Sequence, residues 1–211
     1  SFSYTPTYDI DIAWSYKSKG LIRNFGGFLK SPSVDRIAVL AGITKDPYDC
    51  YEFLRLLHDK YQLDPIYFFL VATSKSMYDK NISPYSHSMW QLIKKHAKLY
   101  RIGLHPSWKS FQNFSLLIKE KKIVETAGHT GITRSRQHYI KFAMPETFVE
   151  LLQAGITEDY SMGYGSINGF RASVASSFYW YNLQSETVTP LRLFPFCFMD
   201  ANSFYEQKQN A

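Results

Sequence analysis

The sequence predicts an α/β fold with about seven strands arranged as βα units around a parallel sheet, and three observations carry that expectation. Short apolar or β-branched runs recur along the 211 residues. Segments with helical spacing fall between several of them. No Pro/Gly/Ser-rich linker, internal repeat or low-complexity tract divides the chain, so a single domain spanning 1–211 is expected. The 45% hydrophobic content suffices for one sizeable core and excludes an intrinsically disordered chain.

In chain order, the strand-like segments are Ser3–Asp11, Tyr67–Thr73, Tyr100–His105, Arg136–Phe142, Asp159–Met162, Gly169–Val174 and Leu191–Met199. The helices between them carry clearer signals. Asp46 stands where an N-cap would and Pro47 suits a first helical position, after which Cys50, Phe53, Leu54 and Leu57 recur on one face. Met89, Leu92, Ile93, His96 and Tyr100 repeat that spacing after Ser86 and Ser88, and Phe111, Phe114 and Ile118 repeat it after Ser110. Beyond Pro145, Phe148, Leu151 and Leu152 share a face and Gly155 supplies a stop. Between Gly163 and Pro190 the pattern weakens into loops and short strands around the aromatic stretch Phe178-Tyr-Trp-Tyr181.

Charge and composition narrow the function classes. Lys+Arg 24 against Asp+Glu 18 leaves +6, too small an excess to identify an anionic partner. Lys94, Lys95, Lys98, Arg101, Lys109, Lys119, Lys121 and Lys122 fall on outer helix faces, the pattern of a solvated surface and not of a nucleic-acid groove. No apolar run approaches the roughly 18–20 residues of a membrane-spanning helix. The start has neither a basic leader nor a long apolar segment, which tilts the expected location toward the cytoplasm. Cys50 and Cys197 sit among aromatic and aliphatic neighbours and read as reduced core cysteines, so a disulfide scaffold is excluded.

In a parallel α/β barrel the strand C-termini form the functional face, so polar residues following an apolar strand are the first candidates. Asp9 and Asp11, two apart on a strand, point to one side, where one carboxylate can bind a metal and the other take a proton from water; as turn residues at a strand end they would do neither. His105 ends an apolar strand beside Pro106, a placement that suits a metal ligand, an acid/base or a packing histidine. Arg134, Arg136 and His138 could orient a carboxylate, bind an anion, supply a ligand or form a solvated turn. Asp159 and Arg171 place charges in apolar or glycine-rich surroundings, where mutual salt-bridging is the simplest outcome. His96 reads as a core residue, while His58, His87 and His129 read as exposed.

Taken in order, Thr7-Tyr-Asp-Ile-Asp11, Ile102-Gly-Leu-His-Pro-Ser107, Ser135-Arg-Gln-His-Tyr139, Asp159-Tyr-Ser-Met-Gly163 and Gly169-Phe-Arg171 resemble the motif series of the polysaccharide deacetylases, carbohydrate esterase family four, and more narrowly a bacterial branch of it. The resemblance covers nearly the whole chain. It implies a distorted (β/α)-type barrel and metal-dependent hydrolysis of an acetyl group from an N-acetylated glycan or glycan precursor, with zinc the expected divalent metal. Mapped onto this sequence, Asp9 resembles the catalytic base, and Asp11 and His105 resemble metal ligands, although the two aspartates could exchange roles because Ile10 separates them. Arg136 resembles the arginine that holds the catalytic aspartate, and Tyr139 the aromatic residue three positions after it. Trp108, Tyr139, Asp159 and Arg171 are the expected substrate contacts, and the aromatic richness around Trp108, Trp180 and Tyr181 would suit sugar-face stacking if it is not core packing.

Two departures stand out. Four residues beyond His105, where the family has its second metal histidine, is Lys109, so His138 is the expected substitute. No histidine follows His138, so the family's late general acid is missing from these 211 residues. Either the chain stops before that motif or this member lacks it. A deacetylase-like domain that has lost catalysis and binds carbohydrate or regulates a neighbouring domain is therefore the alternative reading.

Overall fold

A computed structural model describes residues 4–17, 34–74 and 76–206. Its seven strands are β1 (Thr7–Ile10), β2 (Ile66–Leu70), β3 (Arg101–His105), β4 (Arg134–Ser135), β5 (Glu158–Asp159), β6 (Phe178–Asn182) and β7 (Thr187–Leu193). They form one sheet in the order β1-β2-β3-β4-β5-β7-β6. Every neighbouring pair is parallel except β6 with β7. Pairing between the two end strands, which would close a barrel, is not present among the described residues. Helices α1 (Val34–Leu40), α2 (Tyr51–Tyr61), α3 (His87–Leu99), α4 (Phe114–Gly128) and α5 (Glu146–Gln153) occupy the connections. No described helix is long and apolar enough to cross a membrane.

All of β2 is buried, which explains its unbroken apolar sequence. Its alternate residues enter two cores. Tyr67 and Phe69 join Met89 and Ile93 of α3, Ile102 and Leu104 of β3, and Leu117 and Val124 of α4. Ile66 and Phe68 turn to the opposite face, against Tyr160 and Phe194. Phe68 fits there because Gly103, its register partner on β3, has no side chain: a Cβ at that position would stand 2.6 Å from the Phe68 ring.

The α3 signals match the structure closely. The Ser86 hydroxyl accepts a hydrogen bond from the Met89 N–H, and Met89, Leu92, Ile93 and His96 are buried. The His96 Nδ1 is satisfied by the Leu92 carbonyl at 2.8 Å. Helix α5 also follows its sequence signal, burying Phe148 and Leu151 and ending at Gly155, whose φ of +75° suits glycine. Helix α2 instead starts at Tyr51, four residues after Pro47. Asp46 does not cap it. Its carboxylate accepts hydrogen bonds from the backbone N–H groups of Ser15, Tyr16 and Lys17, fastening the segment that follows β1. The helix is rotated so that His58, expected outside, is buried with its Nε2 2.9 Å from the Tyr8 hydroxyl, while Phe53 is 65% exposed.

Other expectations also change. Helix α4 buries Leu117, Glu120, Ile123, Val124 and Ala127, leaving Phe114 and Ile118 outside. Cys50 and Cys197 are free but exposed, not core residues. Residues 169–174 form no strand, because Gly169 and Ser173 take positive φ values of 130° and 58° that break an extended chain. No strand forms at 136–142: β4 ends at Ser135, and Tyr139 and Ile140 turn at φ 57° and 52°. The seventh strand is β6. Pro190 is accommodated in β7 where the β6 register shifts, and the Thr189 hydroxyl donates to the Trp180 carbonyl there. Trp180 itself packs against Phe148 in the core, while Tyr181 is partly exposed. The Ser3 end of the expected first strand lies outside the described residues.

Glu120 is a buried charge candidate in an otherwise apolar face. Its Oε2 accepts the Ser107 N–H at 3.0 Å, and its Oε1 has no hydrogen-bond partner among the described residues. Burial, opposed by hydrogen bonds from Ser107 and Ser110 and assisted by nearby Asp79, pushes its pKa up from 4.5 to about 7. Below 4.5 both the folded and unfolded chains hold this proton. Between there and about 7 only the unfolded chain releases it, so stability falls as pH rises through that window, by something on the order of 3 kcal/mol. Glu120→Gln is expected to raise the melting temperature at pH 8 and to change it little near pH 4.5. Equal shifts at both pH values would contradict the assignment.

Candidate metal centre

The order β1-β2-β3-β4 brings one end of each parallel strand to a common edge, and the polar residues of interest sit there. Asp9 lies within β1 and Asp11 just beyond it, His105 ends β3, and Arg136 and His138 follow β4. Backbone bonds hold the last two segments side by side: the Arg136 N–H donates to the Leu104 carbonyl and the His138 N–H to that of Pro106. The structure therefore gathers Asp9, Asp11, His105, Arg136 and His138.

Asp11 Oδ1 is 3.2 Å from His105 Nε2, and Asp11 Oδ2 is 3.5 Å from His138 Nε2. One ligand atom from each of the three residues can be chosen so that all lie within 4.8 Å of one another. Each contact, made by a different Asp11 oxygen, is close to the roughly 3.4 Å that separates neighbouring donors around a tetrahedral zinc ion with bonds of about 2.1 Å. Hydrogen bonding fixes which imidazole nitrogens face inward. His105 Nδ1 donates to the Arg136 carbonyl at 2.5 Å, and His138 Nδ1 donates to Asp79 Oδ1 at 3.2 Å. A carbonyl and a carboxylate only accept, so both Nδ1 atoms carry hydrogen and both Nε2 atoms of the neutral rings offer lone pairs. His105 Nε2 faces Asp11 Oδ1, a buried oxygen with no hydrogen-bond partner among the described residues, and His138 Nε2 faces Asp11 Oδ2. Three converging lone-pair donors fit a divalent cation, and two imidazoles with one carboxylate suit zinc with an open position.

The electrostatics agree. Burial opposes the charge on Asp11, but the His105 and His138 imidazoles more than offset it and hold its carboxyl well below the usual carboxylate range. Burial also works against a charged His105, yet Asp9 and Asp11 together raise its pKa. A proton on His105 and a cation are thus alternative ways to balance the two aspartates, so a cation bound here would displace a proton and would bind more weakly as pH falls.

Asp9 stands one step back from the three donors, its Oδ2 4.0 Å from His105 Nε2. Arg136 Nη1 meets its Oδ1 at 3.3 Å, and Arg136 Nε donates to the Tyr160 carbonyl at 3.0 Å. The guanidinium lies between the rings of Phe68 and Phe196, at 5.0 and 5.2 Å. Gly163 leaves room for Phe196, since a Cβ there would fall 2.2 Å from its ring. Gly103, Phe68 and Arg136 therefore form a packed column that fixes Asp9.

The remaining predicted residues are divided. Trp108 stacks on Tyr78 with ring centres 4.0 Å apart, and Tyr139 meets both edge-on while lying 4.5 Å from the His138 ring. Tyr139 is 58% exposed, so these aromatics form an accessible rim beside the three donors. Asp159 is fully buried, its carboxylate engaged by the Ser135 and Ser161 hydroxyls and the Ser161 N–H, and so is closed to a substrate. It does not pair with Arg171, which is exposed over the Phe142 ring at 4.8 Å. Lys109 points its Nζ to the Ser74 hydroxyl at 3.0 Å and takes no part in the donor set. Sequence reasoning missed Asp79 and Tyr78. Both lie in the loop after β2, well beyond the strand end where polar residues were sought. The only local cue was Ser76, three residues before Asp79.

No family model matches the chain, and a search of curated proteins found no match. A Mycobacterium smegmatis protein described as a polysaccharide deacetylase superposes with a TM-score of 0.50 at 12% identity, over 90% of this chain and 56% of its own. The chain shares the fold of that protein. It spans a little over half the length of that protein. IcaB from Ammonifex degensii (TM-score 0.42, 12% identity, 74% of this chain and 82% of that one) and a de-N-acetylase from Aggregatibacter actinomycetemcomitans (0.41, 10%, 74% and 85%) were also found. In this deacetylase-like fold the candidate donor set is Asp11, His105 and His138.

Proposed function

We propose that the chain is a metal-dependent carbohydrate deacetylase that removes an acetyl group from an N-acetylated glycan or glycan precursor. The observation that carries this reading is the convergence of Asp11, His105 and His138 beside an Asp9 held by Arg136. Those three donors suit zinc, which when bound would supply Lewis acidity to the acetyl carbonyl and the attacking water. Arg136 fixes one oxygen of Asp9 and leaves the other free to take a proton from that water. The same carboxyl then holds the proton that the departing amine requires, so one residue serves both half-steps without a later histidine. The exposed Tyr139 offers an apolar face on which a sugar ring can lie, beside Tyr78 and Trp108, which stack on each other while the Lys141 ammonium covers the indole ring.

The test is acetate release from N-acetylglucosamine oligomers by the purified chain. Release is expected to stop on chelation and to return with zinc. A protein that binds zinc and glycan yet releases no acetate would instead be a carbohydrate-binding domain.

A further inference from the structure

We infer that Asp79 is the positioning residue that makes His138 a metal ligand in this chain. The inference rests on the metal reading above and extends it to a residue that neither the donor set nor the motif series includes. Where the family spaces its second histidine four residues after the first, this chain has Lys109, directed away toward Ser74. The third donor comes instead from the segment after β4, and that imidazole needs something to set its orientation and tautomer.

Asp79 does both. Its side chain is completely buried, and Oδ1 accepts from His138 Nδ1 at 3.2 Å and from the Trp108 N–H at 2.8 Å. Oδ2 accepts from the Ser76 hydroxyl at 2.7 Å, while the Asp79 N–H donates back to the same hydroxyl at 2.9 Å. The carboxylate is therefore held from its own loop and spans two others, the one that follows His105 and the one that carries His138. Because it can only accept, it keeps the proton on His138 Nδ1 and leaves Nε2 to face Asp11. A carboxylate behind a ligating imidazole also raises the basicity of the nitrogen on the far side.

The experiment measures zinc affinity by competition with a chromogenic chelator for wild type, Asp79→Asn, His138→Ala and the double variant. Nitrogen-15 NMR of the His138 ring in metal-free wild-type protein gives a reading that requires no substitution. Asp79→Asn keeps the shape of the side chain and is expected to raise the zinc dissociation constant by about 10–100-fold. His138→Ala, which removes the third donor, is expected to bind no measurable zinc with or without the Asp79 change. The NMR spectrum should show hydrogen on Nδ1. Unchanged affinity in Asp79→Asn or a ring protonated only at Nε2 would overturn the inference while leaving the metal site standing. A wild-type chain that takes up no zinc would overturn both.

Discussion

Replacing His105 with alanine is expected to abolish zinc binding, with a loss beyond the ~10–100-fold that changes behind a ligand typically cost. The ring is buried, its Nδ1 is committed to the Arg136 carbonyl, and its Nε2 lies 3.2 Å from Asp11 Oδ1, so no other nitrogen can take its place. Removing it leaves one imidazole and one carboxylate, which do not complete a catalytic zinc site. Calorimetric titration of zinc into the metal-free wild type and variant, with circular dichroism to confirm the fold, measures the effect. Acetate release should fall together with zinc occupancy. Zinc bound equally well by the variant would remove this histidine, and the proposed centre with it.

Asp9→Asn should separate chemistry from metal binding. Its carboxylate is 4.0 Å from His105 Nε2, farther than the Asp11 contacts of 3.2 and 3.5 Å, and one of its oxygens is engaged by Arg136. The amide retains the shape but cannot accept the water's proton, so acetate release should fall by about 10²–10⁴-fold, the usual contribution of a positioned acid/base. Zinc affinity should be nearly unchanged. If the variant loses zinc as well, the two aspartates exchange roles and Asp9 belongs to the ligand set.

The sequence made the site legible where a polar residue stands directly at a strand end. His105 stands at such an end, Asp9 and Asp11 flank the last residue of β1, and Arg136 and His138 lie one and three residues beyond β4, because parallel strands deliver their ends to one edge. Asp79 escaped it because it is bound by tertiary hydrogen bonds from two other loops, and spacing within its own loop carries no trace of them. Helices were readable where burial followed their strongest apolar repeat, as in α3. In α4 the buried face includes Glu120, so the apolar pattern selected Phe114 and Ile118, which lie outside. The edge hairpin was hidden differently: β6 is a run of aromatics without alternation, and β7 contains a proline.

The ion pair between Asp9 and Arg136 joins positions 127 residues apart. Contacts of such sequence separation are closed only after the intervening strands have found their register, and loop-closure entropy delays them relative to local helices. The candidate donor cluster is therefore expected to assemble late in folding. A partly folded chain with its helices in place but its first strand undocked would lack Asp9 and Asp11 at the site, so on the proposed reading zinc uptake would report completion of the long-range topology.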